Sequence, residues 1–376
     1  MQQKTPPMGW NSWNTFGANI NEQLIFDTAD KLVETGLRDL GYNYLVIDDC
    51  WSLRERGADG RIVPDPEKFP HGMKAVADYV HEKGLKFGMY SCAGNLTCAG
   101  YPGSFDHEFV DAATFAEWGV DFLKYDYCNH NKMIHGKYLY RRMGLALKNC
   151  GRDILFSACS WGDDDTALWI RETGADMWRS TVDINDSFGS VRELTGKQES
   201  ILPYGGTGCY NDMDMLVVGM HGKGHVANGG MDDKQYRTHF SIWALFASPL
   251  MIGCDVRNMT PETLEILSNR ELIAIDQDEG GRQVFCLNGI WSGTKNYARM
   301  LSNGDIAIGC FNFGDKPADV RFTVDELGLG DGVGKTLLLQ DVWSGESFKL
   351  KNAEYMLDGL EAYGCRMFRA RVVDAD

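Results

Sequence analysis

Short apolar runs alternate with amphipathic helical stretches through the first three quarters of this chain. That alternation restricts the folds open to it more than any other feature. The runs are Tyr42–Asp49, Lys86–Cys92, Asp121–Cys128, Ile154–Ser160, Met177–Asp183 and Ser248–Asp255. Several are apolar almost end to end, as parallel strands covered on both faces are. Met8–Trp13 and Ile201–Gly205 are weaker candidates for the remaining strands. Between the runs, Asn21–Leu40 sets Ile25, Ala29, Leu32, Val33, Gly36 and Leu40 on one helical face, with Glu22, Asp30, Glu34 and Arg38 outside. Gly72–Lys83, Asp111–Trp118, Lys137–Lys148, Asp233–Ala247 and Pro261–Ser268 have the same texture. Strand-then-helix repeated about eight times predicts an α/β chain folded as a (β/α)8 TIM barrel. A doubly wound sheet is the main competitor. The chain has no GxGxxG or Walker motif to accompany one, and no cofactor is expected.

The texture changes after Gln283. Glycines and alternating apolar residues, in runs such as Ile306–Asn312, Lys335–Val342 and Gly364–Arg371, predict antiparallel strands. The expected division is a catalytic barrel over 1–284 and a C-terminal antiparallel β-sandwich over 285–376. The second unit carries no catalytic cluster.

Charge narrows the partners. Lys and Arg total 37 against 53 Asp and Glu, a net charge of −16. Nucleic acid and anionic membranes call for a basic footprint, so neither is expected. No apolar run reaches the ~18 residues of a spanning helix. Ten tryptophans in an acidic chain suit a pocket for a small carbohydrate. Met1–Pro7 lacks the apolar core of a signal peptide, and the 11 cysteines include no CxxC pair. The expectation is a cytoplasmic protein with mostly free thiols, secreted if a leader has been removed from the chain. Oligomeric state is open, a homo-oligomer included.

Acidic residues recur where the predicted strands end: Asp48 and Asp49, Asp126, Asp183, and Asp212 with Asp214. In a barrel those ends converge on one mouth, where active sites lie. Any one Asp there would serve equally as a helix cap. Four such positions on successive strands, with Trp10, Trp13, Trp51 and Trp178 alongside, point to chemistry. Two carboxylates facing across a sugar are what glycoside hydrolysis requires, ~5–5.5 Å apart where configuration is retained. Lys124 shares strand parity with Asp126 and would hold it ionised. Arg179 shares parity with Asp183 and offers a fork for hydroxyls or a carboxylate.

Six motifs carry a resemblance. They are Met8-Gly9-Trp10-Asn11-Ser12-Trp13, Ile47-Asp48-Asp49-Cys50-Trp51, Thr97-Cys98-Ala99-Gly100-Tyr101-Pro102-Gly103-Ser104, Lys124-Tyr125-Asp126, Trp178-Arg179 with Asp183, and Asn211-Asp212-Met213-Asp214-Met215-Leu216. Together they resemble the α-galactosidases of glycoside hydrolase family twenty-seven, the melibiases, over nearly the whole chain. The resemblance implies a barrel plus C-terminal β domain, a retaining mechanism and no metal. It implies Asp126 as nucleophile and Asp183 as acid/base. It places Asp48 and Asp49 on the 4- and 6-hydroxyls, Trp13 as aromatic wall, Tyr90 and Lys124 as hydroxyl ligands, and Arg179 near the 2-hydroxyl. Asp214 and Met215 match the far wall, and Cys98 with Cys128 a pair often joined as a disulfide.

The sequence departs from that pattern at Cys159-Ser160-Trp161-Gly162-Asp163. α-Galactosidases usually have Glu at the position of Ser160, reading the 2-hydroxyl. Ser there resembles the α-N-acetylgalactosaminidase members, though these have a small residue where this chain has Asp163. β-L-Arabinopyranosidases of the family change the acid that meets the 6-hydroxyl, and both Asp48 and Asp49 are present here. Galactose is therefore the expected sugar, with Asp163 either folded inward in place of the missing carboxylate or facing solvent. A catalytically silent sugar-binding barrel would accompany loss of Asp126 or Asp183, and neither is lost. His221-Gly222-Lys223-Gly224-His225 lacks a third metal ligand and reads as a loop. Asp163-Asp164-Asp165 lacks calcium-loop spacing and reads as a helix start or pocket rim.

Overall fold

The computed structural model describes residues 4–287, 293–329, 334–351 and 353–375. Met1–Gln3, at the head of the polar N-terminal stretch, lie outside the described residues. Eight parallel strands form one curled sheet: β1 Met8–Asn11, β2 Tyr44–Val46, β3 Lys86–Cys92, β4 Phe122–Asp126, β5 Leu155–Cys159, β6 Met177–Arg179, β7 Tyr210–Asp212 and β8 Leu250–Ile252. They neighbour one another in chain order from β1 to β7, and β8 returns beside β1. The segment that follows β7 closes the gap to β8 through a single parallel bridge, Leu216 to Ile252. There the Leu216 amide donates to Met251 O at 2.8 Å and the Gly253 amide to Leu216 O at 2.9 Å.

Six of the expected strands lie within the apolar runs, and β3 matches its run residue for residue. Most are shorter, because the residues at the ends of the runs, Asp48, Asp49 and Asp183 among them, belong to loops. The expected strand Ile201–Gly205 is instead a 3₁₀ turn, Leu202–Tyr204, with Pro203 in its first turn. Proline has no N–H for a central ladder, and the seventh strand is Tyr210–Asp212. The expected helix Asn21–Leu40 stops at Glu34. Gly36, at φ 76°, turns the chain into a separate 3₁₀ turn, Arg38–Leu40; only glycine takes that conformation without penalty. Helices Phe188–Gln198 and Arg270–Asp276 are additional to those expected from the sequence.

The C-terminal strands are β9 Phe285–Leu287, β10 Lys295–Met300, β11 Ile306–Phe311, β12 Ala318–Thr323, β13 Lys335–Asp341, β14 Ser347–Lys349, β15 Glu354–Leu360 and β16 Cys365–Asp374. Six form an antiparallel sheet ordered β14-β13-β16-β11-β10-β9, and β12 pairs with β15. Ile308, Cys310, Phe322, Leu337, Leu339 and Phe368 fill the space between them. The other face of the large sheet packs on the barrel: Tyr297, Phe311 and Met367 join the barrel's own core. Fully buried Arg299 donates to Ile275 O at 3.0 Å and Arg282 O at 2.9 Å, tying the two parts together. Among the described residues no helix is long and apolar enough to cross a membrane.

Candidate active site

The loops past the C-terminal strand ends enclose a cavity of about 220 Å³. That is small beside the ~300–1,000 Å³ of drug-sized sites and admits one sugar ring. Trp13, Asp48, Asp49, Tyr90, Cys98, Lys124, Asp126, Cys128, Arg179, Asp183, Asp214 and Met215 all line it. Of the residues to which the sequence assigns a role toward the sugar, Ser160 alone is absent from the wall. Two larger clefts, one around Arg152 and one around Trp343, contain none of these residues.

Asp126 ends β4, two places after Lys124, so strand alternation aims both inward. Its Oδ1 accepts from the Tyr127 amide at 2.9 Å and its Oδ2 from the Tyr90 hydroxyl at 2.9 Å. Burial pushes its carboxyl up to about 6, although Lys124 and both hydrogen bonds pull the other way. Lys124 is bonded elsewhere: its Nζ donates to Asp48 Oδ2 at 2.8 Å. Asn11 Nδ2 donates to the same oxygen at 2.8 Å, and the Asp49 amide to Asp48 Oδ1 at 3.0 Å. Asp49 in turn accepts from the Cys50 amide at 2.7 Å and from the Ala99 amide at 3.0 Å, and burial raises its carboxyl. Cys50, at φ 73°, makes the turn that presents both acids to the cavity.

Arg179 ends β6 and is 3% exposed. It holds two carboxylates, Asp183 at 2.8 Å and Asp214 at 3.0 Å. Because β6 stops at Arg179, the pairing with Asp183 comes from the following loop and not from strand parity. The Asp183 side chain is 74% exposed. Desolvation works to raise its carboxyl, but the guanidinium prevails and holds it below the ordinary range. Asp214 is nearly the reverse, 4% exposed in its side chain and raised by burial against the pull of Arg179. Its Oδ1 accepts from the Met215 amide at 2.7 Å and its Oδ2 from the Ile184 amide at 2.8 Å. It adopts φ 83°, an uncommon conformation for a residue with a side chain.

Cys98 and Cys128 are joined in a disulfide that ties the loop after β3 to the loop after β4. Among the described residues, Cys98, Asp126 and Cys128 are the one group whose atoms approach metal-ligand spacing, and both sulfurs are engaged with each other.

The loop after β5 corrects the sequence reading. Ser160 is fully buried, and its hydroxyl pairs with Thr166 Oγ1 at 2.7 Å. Asp163 is exposed and does not fold inward. The wall residue from this loop is Trp161, at φ 57°. The acidic run opens the 3₁₀ segment Asp163–Leu168, and within it Asp164 accepts from the Tyr127 hydroxyl at 2.5 Å and the Gly136 amide at 2.9 Å, stapling the loop down. Of the four tryptophans that lie alongside the strand-end acids in the sequence, Trp13 alone lines the cavity. Trp10 and Trp51 are buried with their indole N–H groups on Cys254 O and Tyr90 O, and Trp178 is 1% exposed. Asn14 and Val226 complete the wall. Asn14 sits in the Trp10–Trp13 motif region and was within reach of sequence reasoning, whereas Val226 lies in the glycine-rich loop and gave no signal.

A barrel mouth with four buried carboxylates and one solvent-facing carboxylate around a sugar-sized, indole-walled cavity has the makings of a glycoside hydrolase site. Comparison with known proteins gives the family. Residues 5–278 match the family described as Alpha galactosidase A, and residues 292–370 match the Alpha galactosidase C-terminal beta sandwich domain. The chain is 46% identical to α-galactosidase 3 of Arabidopsis thaliana over 373 residues, covering 97% of this chain and 81% of that one. It superposes on the crystal structure of α-galactosidase I from Mortierella vinacea with a TM-score of 0.91 at 35% identity, covering 99% and 98% of the two chains. The α-galactosidase of Saccharomyces cerevisiae, solved with raffinose, matches with a TM-score of 0.87 at 30% identity, covering 98% of each chain. The chain belongs to the α-galactosidase family and is a glycosidase.

Proposed function

We propose that this protein releases terminal α-linked galactose with retention of configuration, using Asp126 as nucleophile and Asp183 as acid/base. The observation that carries this reading is the contrast between the two carboxylates. Asp126 is buried and fixed by a hydrogen bond on each oxygen, as a group needs to be if it is to attack one carbon from one direction. Asp183 stands at the solvent side with a single cation partner, where a leaving oxygen departs and water enters. Arg179 keeps Asp183 ionised in the free protein. A bound glycoside covers that carboxylate, desolvates it and raises its proton affinity, as a general acid requires. Asp126 then attacks the anomeric carbon while Asp183 protonates the glycosidic oxygen. In the second half Asp183 takes a proton from water, which displaces Asp126.

On this reading Asp48 and Asp49 bond the 4- and 6-hydroxyls, and Lys124 and Tyr90 complete the hydroxyl ligands. Trp13 offers a flat face to the ring, Arg179 lies by the 2-hydroxyl, and Asp214 and Met215 close the far side. Residues 1–284 act as the catalytic unit and 285–376 as the β unit packed beside it. The nine free cysteines fit a cytoplasmic location and the single disulfide an exported one. Free-thiol counting on protein from its native compartment decides between them. The test of the activity is hydrolysis of p-nitrophenyl α-galactoside followed by proton NMR. α-Galactose as the first product supports the reading. β-Galactose as the first product overturns retention, and absence of turnover overturns galactose as the sugar released.

A further inference from the structure

Asp183 has one side-chain partner and is mostly exposed, so its direction is set by the short segment that carries it. Three residues on, Asp186 is fully buried, and every hydrogen bond shown for it reaches the stretch from Gly222 to Tyr236. Its Oδ1 accepts from the Tyr236 hydroxyl at 2.9 Å, and its Oδ2 from the Gly222 amide at 2.7 Å. Its own amide donates to Val226 O at 3.1 Å, and its carbonyl accepts from the Gly230 amide at 3.0 Å. Tyr236 lies in the helix Asp233–Leu245, is fully buried, and its oxygen also accepts from the His221 amide at 2.6 Å. The loop so held carries Val226 in the cavity wall and docks on the Trp13 turn, with Val226 N on Asn14 O and His225 N on Thr15 O, both at 3.1 Å.

We infer that Asp186, through Tyr236 and Gly222, is a positioning residue for Asp183: it clamps the segment bearing the acid/base group to the loop that closes the pocket. The segment is held at each of the three residues that follow Asp183. Asp214 grips it at the Ile184 amide, Asn185 Oδ1 accepts from Asn228 Nδ2 at 2.9 Å, and Asp186 grips it three residues beyond Asp183 through the buried Tyr236 hydroxyl. A buried carboxylate with both oxygens satisfied is costly to loosen, because each donor it releases is left unpaired. The inference rests on Asp183 being the acid/base residue.

A misplaced acid has a signature that general loss of structure lacks. It slows substrates in proportion to how much their leaving group needs a proton, and spares those that need none. The experiment measures kcat/KM, which reports the first glycosidic cleavage, for Asp186→Asn and Tyr236→Phe. The substrates are methyl α-galactoside, p-nitrophenyl α-galactoside and 2,4-dinitrophenyl α-galactoside, and galactose inhibition is measured alongside. The expected result is a loss of about 10²-fold on the methyl glycoside, the scale of a small misplacement. The dinitrophenyl glycoside should change by less than about threefold and galactose inhibition should be unaltered. Equal losses on all three substrates, or no loss on any, overturn the inference. Tyr236→Phe removes a single hydroxyl and carries the test if Asp186→Asn does not fold. Asp183→Ala is run beside them. If it is steep with leaving group while the other two are flat, the positioning role alone fails. If Asp183→Ala is itself flat, the assignment of Asp183 fails and takes the inference with it.

Discussion

Tyr90 donates its phenolic proton to Asp126 Oδ2 across 2.9 Å, and both groups are buried in the wall of one cavity. The bond favours the ionised carboxylate, yet burial prevails and leaves Asp126 at about 6. Tyr90→Phe removes that donor and keeps the ring. A hydrogen bond to a charged group is worth ~1.5–3 kcal/mol, so Asp126 holds its proton more tightly in the variant. The acidic limb of the kcat/KM profile should move to higher pH, while the basic limb stays in place. An unmoved acidic limb would show that Asp126 does not govern it.

Asp126→Asn changes one oxygen to nitrogen at nearly constant volume. The Tyr127 amide still finds an acceptor, and the variant no longer buries a charge. The fold should persist, with a melting temperature within a few degrees of the parent, while turnover disappears because an amide cannot form the glycosyl ester. Calorimetry and p-nitrophenyl α-galactoside hydrolysis check the two halves separately. Substantial turnover in the purified variant would remove Asp126 from the nucleophile's role.

The pair Lys124–Asp48 is 2.8 Å apart with side-chain exposures of 13% and 2%. Losing one member of a buried pair strands the other, at a cost of ~3–5 kcal/mol. Lys124→Met should therefore lower the unfolding free energy by about that amount in urea titrations. The double variant Lys124→Met with Asp48→Asn should be less destabilised than Lys124→Met alone, since no buried charge is then stranded. Additive losses would show that the two groups do not depend on each other.

Much of this architecture was legible in the sequence because parallel strands buried on both faces write themselves as continuous apolar runs. Lys86–Cys92 was readable to the residue for that reason. Lys124 and Asp126 were readable as cavity neighbours because both lie within β4, where alternation holds. The reasoning stops where the strand stops. Ser160 follows the last residue of β5, and the backbone then passes through positive φ at Trp161 and Gly162. Parity no longer says which side chain faces the cavity, so the sequence points to the serine where the structure presents the indole. Three-residue β7 was too short to stand out from its flanking loops, and the neighbouring apolar Ile201–Gly205 drew the assignment instead.

Asp176 offers a stability test away from the chemistry. Burial raises its carboxyl from 3.8 to about 6, and its Oδ2 accepts from the Phe156 amide at 2.9 Å. The folded protein thus holds this proton more tightly than the unfolded chain does. The group's stabilising contribution is complete below about pH 4 and is lost as pH rises through 6. Asp176→Asn keeps an acceptor for Phe156 and has no such titration. The variant should gain stability relative to the parent between pH 4 and 6 and hold a constant difference above 7. Paired urea titrations across that range check it, and a difference that shrinks with rising pH would contradict the sign.

The last prediction concerns selectivity at the sugar's 2-position, where the sequence departs from its relatives. Ser160 is fully buried against Thr166, and Asp163 faces solvent, so neither replaces the carboxylate usual in α-galactosidases. The loop turns its indole to the cavity instead. Gly162, at φ 87°, sustains that turn, and a Cβ there would lie 2.6 Å from Ser180 O. β5 and β6 are adjacent, so Trp161 follows the strand next to the one that ends in Arg179, the group assigned to the 2-hydroxyl. The prediction is that an indole on that side excludes an acetamido group, and so selects galactose over N-acetylgalactosamine. Ser160→Ala should leave the ratio of kcat/KM for p-nitrophenyl α-galactoside over α-N-acetylgalactosaminide unchanged. Its main effect is loss of one buried hydroxyl pair, a destabilisation of ~0.5–1.5 kcal/mol, since the Thr166 hydroxyl still donates to Asp163 O. Trp161→Ala should lower the ratio by about tenfold or more, the scale of discrimination by shape in a pocket. A ratio that moves with Ser160→Ala and not with Trp161→Ala would return the selectivity to the serine.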